Sequence, residues 1–129
     1  MAFKTTRHQG DSGVAAALAY YAGQGWPVSV PFGEGQRYDL IVDRDGELSR
    51  VQVKSAHTKN KAGNYQAELR TKGGNKSGTG KEYRLSSEET DEVVIACGDG
   101  TLWLFPIEEL EGRGSVTACS RHRHRCVLQ

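Results

Sequence analysis

An aspartate, a glutamine and a lysine stand at spacings that would set them side by side. Asp39 precedes the apolar run Leu40-Ile41-Val42, and Gln52 and Lys54 alternate with valines in Arg50-Val51-Gln52-Val53-Lys54. Between the two runs lies Arg44-Asp45-Gly46-Glu47. Asp-Gly favours a two-residue hairpin turn, because that turn needs positive φ and glycine adopts it without strain. Counting outward from Asp45-Gly46 sets Asp43 against Leu48, Ile41 against Arg50 and Asp39 against Gln52. Directly opposed residues share a face, and Lys54, two residues past Gln52, joins them. The open end of the hairpin is therefore expected to gather a carboxylate, an amide and an ammonium, a set suited to holding a divalent cation against a phosphate.

Phosphodiester hydrolysis needs an activated water, stabilisation of charge at phosphorus, help for the leaving oxygen, and a held backbone. A Mg²⁺ ion lowers the pKa of bound water and polarises a phosphoryl oxygen. It takes hard oxygen ligands and keeps several waters, so few protein oxygens suffice. Asp39 offers a carboxylate, Gln52 a side-chain carbonyl and Val53 a backbone carbonyl. Lys54 would orient the water or stabilise the developing charge. Taken singly, Asp39 is a solvated acid and Lys54 an exposed strand lysine. Aspartate is disfavoured in strands, and three such groups on one face, followed at once by a basic stretch, favour a site.

The elements that must position this patch read as follows. The 129 residues suit one domain by size. Residues 1–10 form a polar arm. Asp11-Ser12-Gly13 opens a helix to about Gly23, with Val14, Ala17, Leu18 and Tyr21 as its buried stripe. Val28-Ser29-Val30 is a short strand, and the hairpin occupies about 37–43 and 48–55. Residues 65–70 alternate and form a strand. Residues 71–81, rich in glycine and lysine, are a flexible basic loop. Residues 88–91 form one helical turn. Residues 92–97 and 101–105 are apolar strands, and Pro106 begins a short helix. Residues 116–119 are a further strand, and 112–129 a basic tail.

No apolar run approaches the length of a membrane span, and the first residues lack the apolar stretch of a signal peptide. Cys97, Cys119 and Cys126 make no disulfide framework, so a cytoplasmic setting is expected. The net charge of +1 hides segregation. From Lys54 to Arg84 eight Lys and Arg face two acids, from Ser86 to Glu111 there are eight acids and no base, and from Gly112 onward four arginines and no acid. Such asymmetry suits a nucleic-acid partner, or equally solvated faces of opposite sign.

Four pieces in order carry a resemblance: Gly10-Asp11-Ser12-Gly13-Val14, Gly25-Trp26-Pro27-Val28-Ser29-Val30-Pro31-Phe32-Gly33, Tyr38-Asp39-Leu40-Ile41-Val42-Asp43 and Arg50-Val51-Gln52-Val53-Lys54. With Trp103-Leu104-Phe105-Pro106-Ile107-Glu108-Glu109-Leu110 they resemble the PD-(D/E)XK nuclease superfamily, in its group I intron-associated branch. The resemblance implies an α/β, restriction-endonuclease-like core, with a mixed central β-sheet flanked by helices and the hairpin strands carrying the metal site. It implies Mg²⁺-dependent cleavage of double-stranded DNA, with Mn²⁺ a possible substitute. Asp39 matches the motif's aspartate and Lys54 its lysine. Gln52 stands where the wider superfamily has Asp or Glu; the resemblance to the intron-associated branch implies glutamine there too, which leaves the site one negative charge short. Val14 stands where some relatives carry a helix glutamate. Asp11 either supplies the missing charge or caps the helix.

Lys59, Lys61, Arg70, Lys72, Lys76, Lys81 and Arg84 are the candidate DNA contacts, supplying affinity and register. The strand from Tyr65 to Arg70, with a partner strand, is the candidate for the major groove. One metal site per chain implies a homodimer or homotetramer for cutting both strands. The alternatives are a structure-selective Holliday-junction resolvase, a DNA-binding protein that has lost catalysis, or a subunit with no nucleic-acid role. If residues 121–126 were extended, His122, His124 and Cys126, with Cys119, would invite zinc, but the spacing is tighter than in usual structural sites. A tail that touches DNA or a neighbouring subunit is the expectation.

Overall fold

The computed structural model describes residues 6–72 and 82–129. Helix α1 spans Thr6–Gly23. The strands are β1 (Val28–Ser29), β2 (Leu40–Arg44), β3 (Glu47–Ala56), β4 (Thr58–Lys59), β5 (Tyr65–Glu68), β6 (Thr71–Lys72), β7 (Glu82–Tyr83), β8 (Glu92–Cys97) and β9 (Leu102–Pro106). Helix α2 (Ile107–Leu110), β10 (Ser115–Ala118), a 3₁₀ helix at Ser120–Arg125 and β11 (Cys126–Leu128) complete the chain.

Six strands form the main sheet in the order β1-β2-β3-β8-β9-β11. Only the β3–β8 contact is parallel, so the sheet is mixed. Strict alternation along its central strands splits the core in two. Val51, Val53, Val94, Ala96 and Leu102 meet Ala17 and Tyr21 of α1. Ala56, Val93, Ile95, Cys97, Trp103 and Phe105 meet Ala67 and Leu69, Ile107 and Leu110 of α2, and Val116. On this second side lies a small antiparallel sheet, β10-β5-β4. Gln52 and Lys54 share the parity of Ala56 and so face the small-sheet side. No described helix is long and apolar enough to cross a membrane.

The hairpin forms as its turn demands. Asp45 and Gly46 both have positive φ, 57° and 96°, and the Gly46 amide donates to Asp43 Oδ1 at 2.7 Å. Asp43 lies opposite Leu48 and Ile41 opposite Arg50.

Helix α1 departs from its expected bounds. It begins at Thr6 rather than Asp11, so the arm at 6–10 is helical. Gly10 and Gly13 look like breakers, since glycine costs about 1 kcal/mol relative to alanine in a helix. Gly13 earns its place by close approach: a Cβ there would lie 2.7 Å from Ser55 Oγ. The Ser55 hydroxyl in turn donates to the Gln9 carbonyl at 3.0 Å. The stripe facing the sheet is therefore Gly13, Ala17 and Tyr21, while Leu18 is 37% exposed.

Smaller departures have local causes. Pro106 is the N-cap of α2 and the last residue of β9, so it precedes the helix instead of opening it. Thr71–Lys72, expected in the loop, pair with β7, and residues 73–81 lie outside the described residues. The tail is folded: its 3₁₀ helix returns the chain so that β11 pairs along β9.

Candidate active site

Two strands and the chain entering them build the site. At the open end of the hairpin the ladder slips: the Asp39 amide donates to Val51 O at 2.7 Å, one residue short of Gln52. The side chains nonetheless meet. Asp39 Oδ2 accepts from the Val53 amide at 2.8 Å and from Gln52 Nε2 at 3.0 Å. Gln52 Nε2 also lies 3.5 Å from Val53 O. Lys54, on the same strand, donates to Thr71 Oγ1 at 2.9 Å.

The carboxylate and ammonium are only partly compensated. Burial pushes the Asp39 carboxyl above its ordinary value, against the Val53 amide and Lys54, which lower it. Burial pushes the Lys54 ammonium below its ordinary value, against Asp39 and Glu68, which raise it; Arg37 lowers it further. Each charged form is disfavoured by desolvation, so each gains from an incoming ion of opposite charge.

The donor set fits a hard cation. Asp39 Oδ2 and Val53 O converge on one point, where the Gln52 amide nitrogen now sits. A half turn of that amide presents its carbonyl oxygen instead. Three oxygens of these kinds suit Mg²⁺ or Mn²⁺, with water completing the shell. Among the described residues no group of three or more His, Cys, Asp or Glu could hold a metal.

A sequence profile of the PD-(D/E)XK endonucleases matches residues 4–125. The chain belongs to the PD-(D/E)XK endonuclease family. Its fold also resembles the solved structure of a bacterial homing endonuclease, I-Ssp6803I, with a TM-score of 0.79 and 27% sequence identity. That match covers 90% of this chain and 79% of the other. The fold is thus restriction-endonuclease-like, with a mixed central sheet flanked by a helix. No curated protein matches the chain.

In this PD-(D/E)XK chain Asp11 is not brought to the cluster. It is exposed within α1, two residues and so about 200° round from Gly13, on the face away from the sheet. Nor does it cap the helix, which starts at Thr6. Val14 packs among the apolar side chains beneath α1.

The candidate DNA contacts divide. Lys61 is exposed in the turn before β5. Lys59 is exposed too, its Nζ 5.0 Å from the centroid of the Tyr65 ring. Arg70 is paired with Glu68 at 2.6 Å and approaches Glu82 at 3.9 Å. Arg84 lies 3.4 Å from Glu82 and donates to Gly112 O at 2.8 Å. Lys76, Lys81 and the side chain of Lys72 lie outside the described residues. The strand proposed for the groove is shorter than expected and sits between β10 and β4.

Folding also neutralises much of the charge segregation. Arg37 pairs with Glu89, Arg44 with Glu92, Arg50 with Asp91 and Arg125 with Glu109. The extended geometry that zinc required is absent, because residues 120–125 form the 3₁₀ helix. His122 packs edge-on against Phe105, ring centroids 5.3 Å apart.

Sequence reading missed Arg37, Thr71 and Tyr83, which line a shallow cleft with Gln52. Arg37 stands two residues before Asp39, a signal that could have flagged it. Thr71 and Tyr83 arrive through β6–β7 pairing, for which the sequence carries no local mark.

Proposed function

We propose that this chain is a divalent-metal-dependent DNA endonuclease of the homing, intron-associated type. PD-(D/E)XK nucleases typically use divalent metal ions; Mg²⁺ is the resident ion on this reading and Mn²⁺ its working substitute. The observation that carries the reading is the convergence of Asp39, Gln52 and Val53 O beside Lys54 at one end of the hairpin. The 27% identity to a bacterial homing endonuclease supports the finer assignment.

Asp39, Gln52 and Val53 O would hold the ion. When bound, the ion supplies Lewis acidity at a phosphoryl oxygen and acidifies water. Lys54 would face the phosphate, orienting the attacking water and stabilising charge at phosphorus. Thr71 fixes the ammonium by accepting its hydrogen bond. The substrate is double-stranded DNA, and the chain acts as a homodimer or homotetramer, because cutting both strands takes at least two such sites.

The test is conversion of supercoiled plasmid in Mg²⁺ against EDTA. Asp39→Ala and Lys54→Ala are each expected to slow cleavage roughly 10²–10³-fold or more, with far-UV circular dichroism unchanged. Undiminished cleavage by Asp39→Ala overturns the assignment. Preference for a four-way junction over linear duplex of the same sequence would move it to a resolvase.

A further inference from the structure

Beside Gln52 stands a cation to which the reading above gives no task. Arg37 lines the cleft shared with Thr71 and Tyr83. Its guanidinium carbon lies 3.6 Å from the centroid of the Tyr83 ring. That distance fits a cation–π contact, which would hold the group in place. The backbone is held as well, since the Thr90 hydroxyl donates to the Arg37 carbonyl at 2.9 Å.

Its ion pair is weak by comparison with its neighbours. Arg37 Nε is 3.5 Å from Glu89 Oε2, and the two side chains are 34% and 45% exposed. A long, solvated pair of this kind contributes little. Arg44 instead gives both terminal nitrogens to Glu92. Arg50 spends its nitrogens on Asp91, Glu88 O and Ser87 O. Among the described residues, no acceptor is hydrogen-bonded to the terminal nitrogens of Arg37. A stacked guanidinium with free N–H groups is preorganised for a planar or tetrahedral oxyanion. Its charge already reaches the site, as one of the influences on Lys54. The ligand class follows from place: Arg37 and Gln52 line one cleft, so a DNA backbone bound at Asp39 and Lys54 would pass within reach of it, and phosphates are its anions.

We propose that Arg37, steadied by Tyr83, grips a DNA phosphate adjacent to the scissile one, exchanging Glu89 for it. This rests on the nuclease reading and adds a phosphate contact to the same site. Glu89 is then a resting partner that the incoming phosphate displaces.

The experiment measures binding of linear plasmid DNA in Ca²⁺ over a salt series, and plasmid cleavage in Mg²⁺, for wild type, Arg37→Ala, Arg37→Lys and Glu89→Gln. Arg37→Ala should weaken binding roughly ten- to hundredfold, with the loss falling on Kd and KM more than on kcat. Its log–log salt slope should be shallower by about 0.9, the signature of one lost phosphate contact. Arg37→Lys should keep the slope yet bind more weakly, because lysine cannot stack or fork. Glu89→Gln, an exposed change that leaves the fold intact, should bind more tightly than wild type. An unchanged Kd and slope in Arg37→Ala, or unchanged binding in Glu89→Gln, overturns the inference while wild-type cleavage still stands. Wild type that neither binds nor cuts DNA overturns the nuclease reading and this one with it.

Discussion

Near the turn of the β2–β3 hairpin, Arg44 donates to both Glu92 oxygens at 2.7 and 2.8 Å, and the Tyr21 hydroxyl donates to the same carboxylate at 2.6 Å. The guanidinium also lies 4.7 Å from the Trp26 ring centroid. At the open end, among the described residues, Asp39 accepts only from amides, and Lys54 donates to a neutral hydroxyl. The first region meets charge with charge under apolar cover, and burial holds the proton on Tyr21 more firmly. The second leaves an acid and an amine desolvated, and both are driven toward their neutral forms. One hairpin thus separates a polar cluster whose charges are matched from a polar cluster whose charges are only partly compensated. The stability cost at the open end is the kind expected of a functional site.

Breaking the first region should have the largest effect on stability. Glu92→Ala strands Arg44 and the Tyr21 hydroxyl, and should destabilise the protein by about 3–5 kcal/mol in urea unfolding. Glu92→Gln, which can still accept from Tyr21, should lose less. A loss below about 1 kcal/mol for Glu92→Ala would mean that the network does not anchor the helix to the sheet. The mirror experiment removes charge from the second region. Asp39→Asn keeps an acceptor for the Val53 amide while discarding a desolvated carboxylate. In EDTA it should melt a few degrees above wild type, a shift corresponding to about 1 kcal/mol. A lower melting temperature would show that Asp39 serves the fold as Glu92 does.

How far the sequence exposed this arrangement depended on the range of the forces involved. The hairpin register from Leu40 to Arg44 was legible because Asp45-Gly46 leaves one economical turn, from which those opposed pairs follow by counting. Period-two alternation put Gln52 and Lys54 on one face, but the ladder slips before Asp39, which meets Gln52 through its side chain and not as a directly opposed residue. The start of α1 was hidden because Gly10 and Gly13 look like helix breakers; only the packing of Gly13 against Ser55 explains the latter. The same gap put Asp11 at a helix cap. Charge segregation suggested free basic faces, yet Arg70 and Arg84 find acids, and Arg125 finds Glu109 across the fold. The first two pairs are only two residues apart, where an extended chain puts both side chains on one face, while Arg125 and Glu109 are brought together by the fold. In the tail the strand at 116–119 was legible and stands one residue earlier as β10, but its last strand was not: β11 is three residues long and exists because the edge of β9 accepts it.

The most direct measurement is an anomalous difference map from crystals soaked in Mn²⁺, alongside crystals of Asp39→Asn treated identically. Each wild-type chain should show one strong peak, bonded to Asp39 Oδ2 and Val53 O with the Gln52 carbonyl turned toward it, and the variant should show none. A wild-type peak bound elsewhere, or one that persists unchanged in Asp39→Asn, would contradict the proposed metal site.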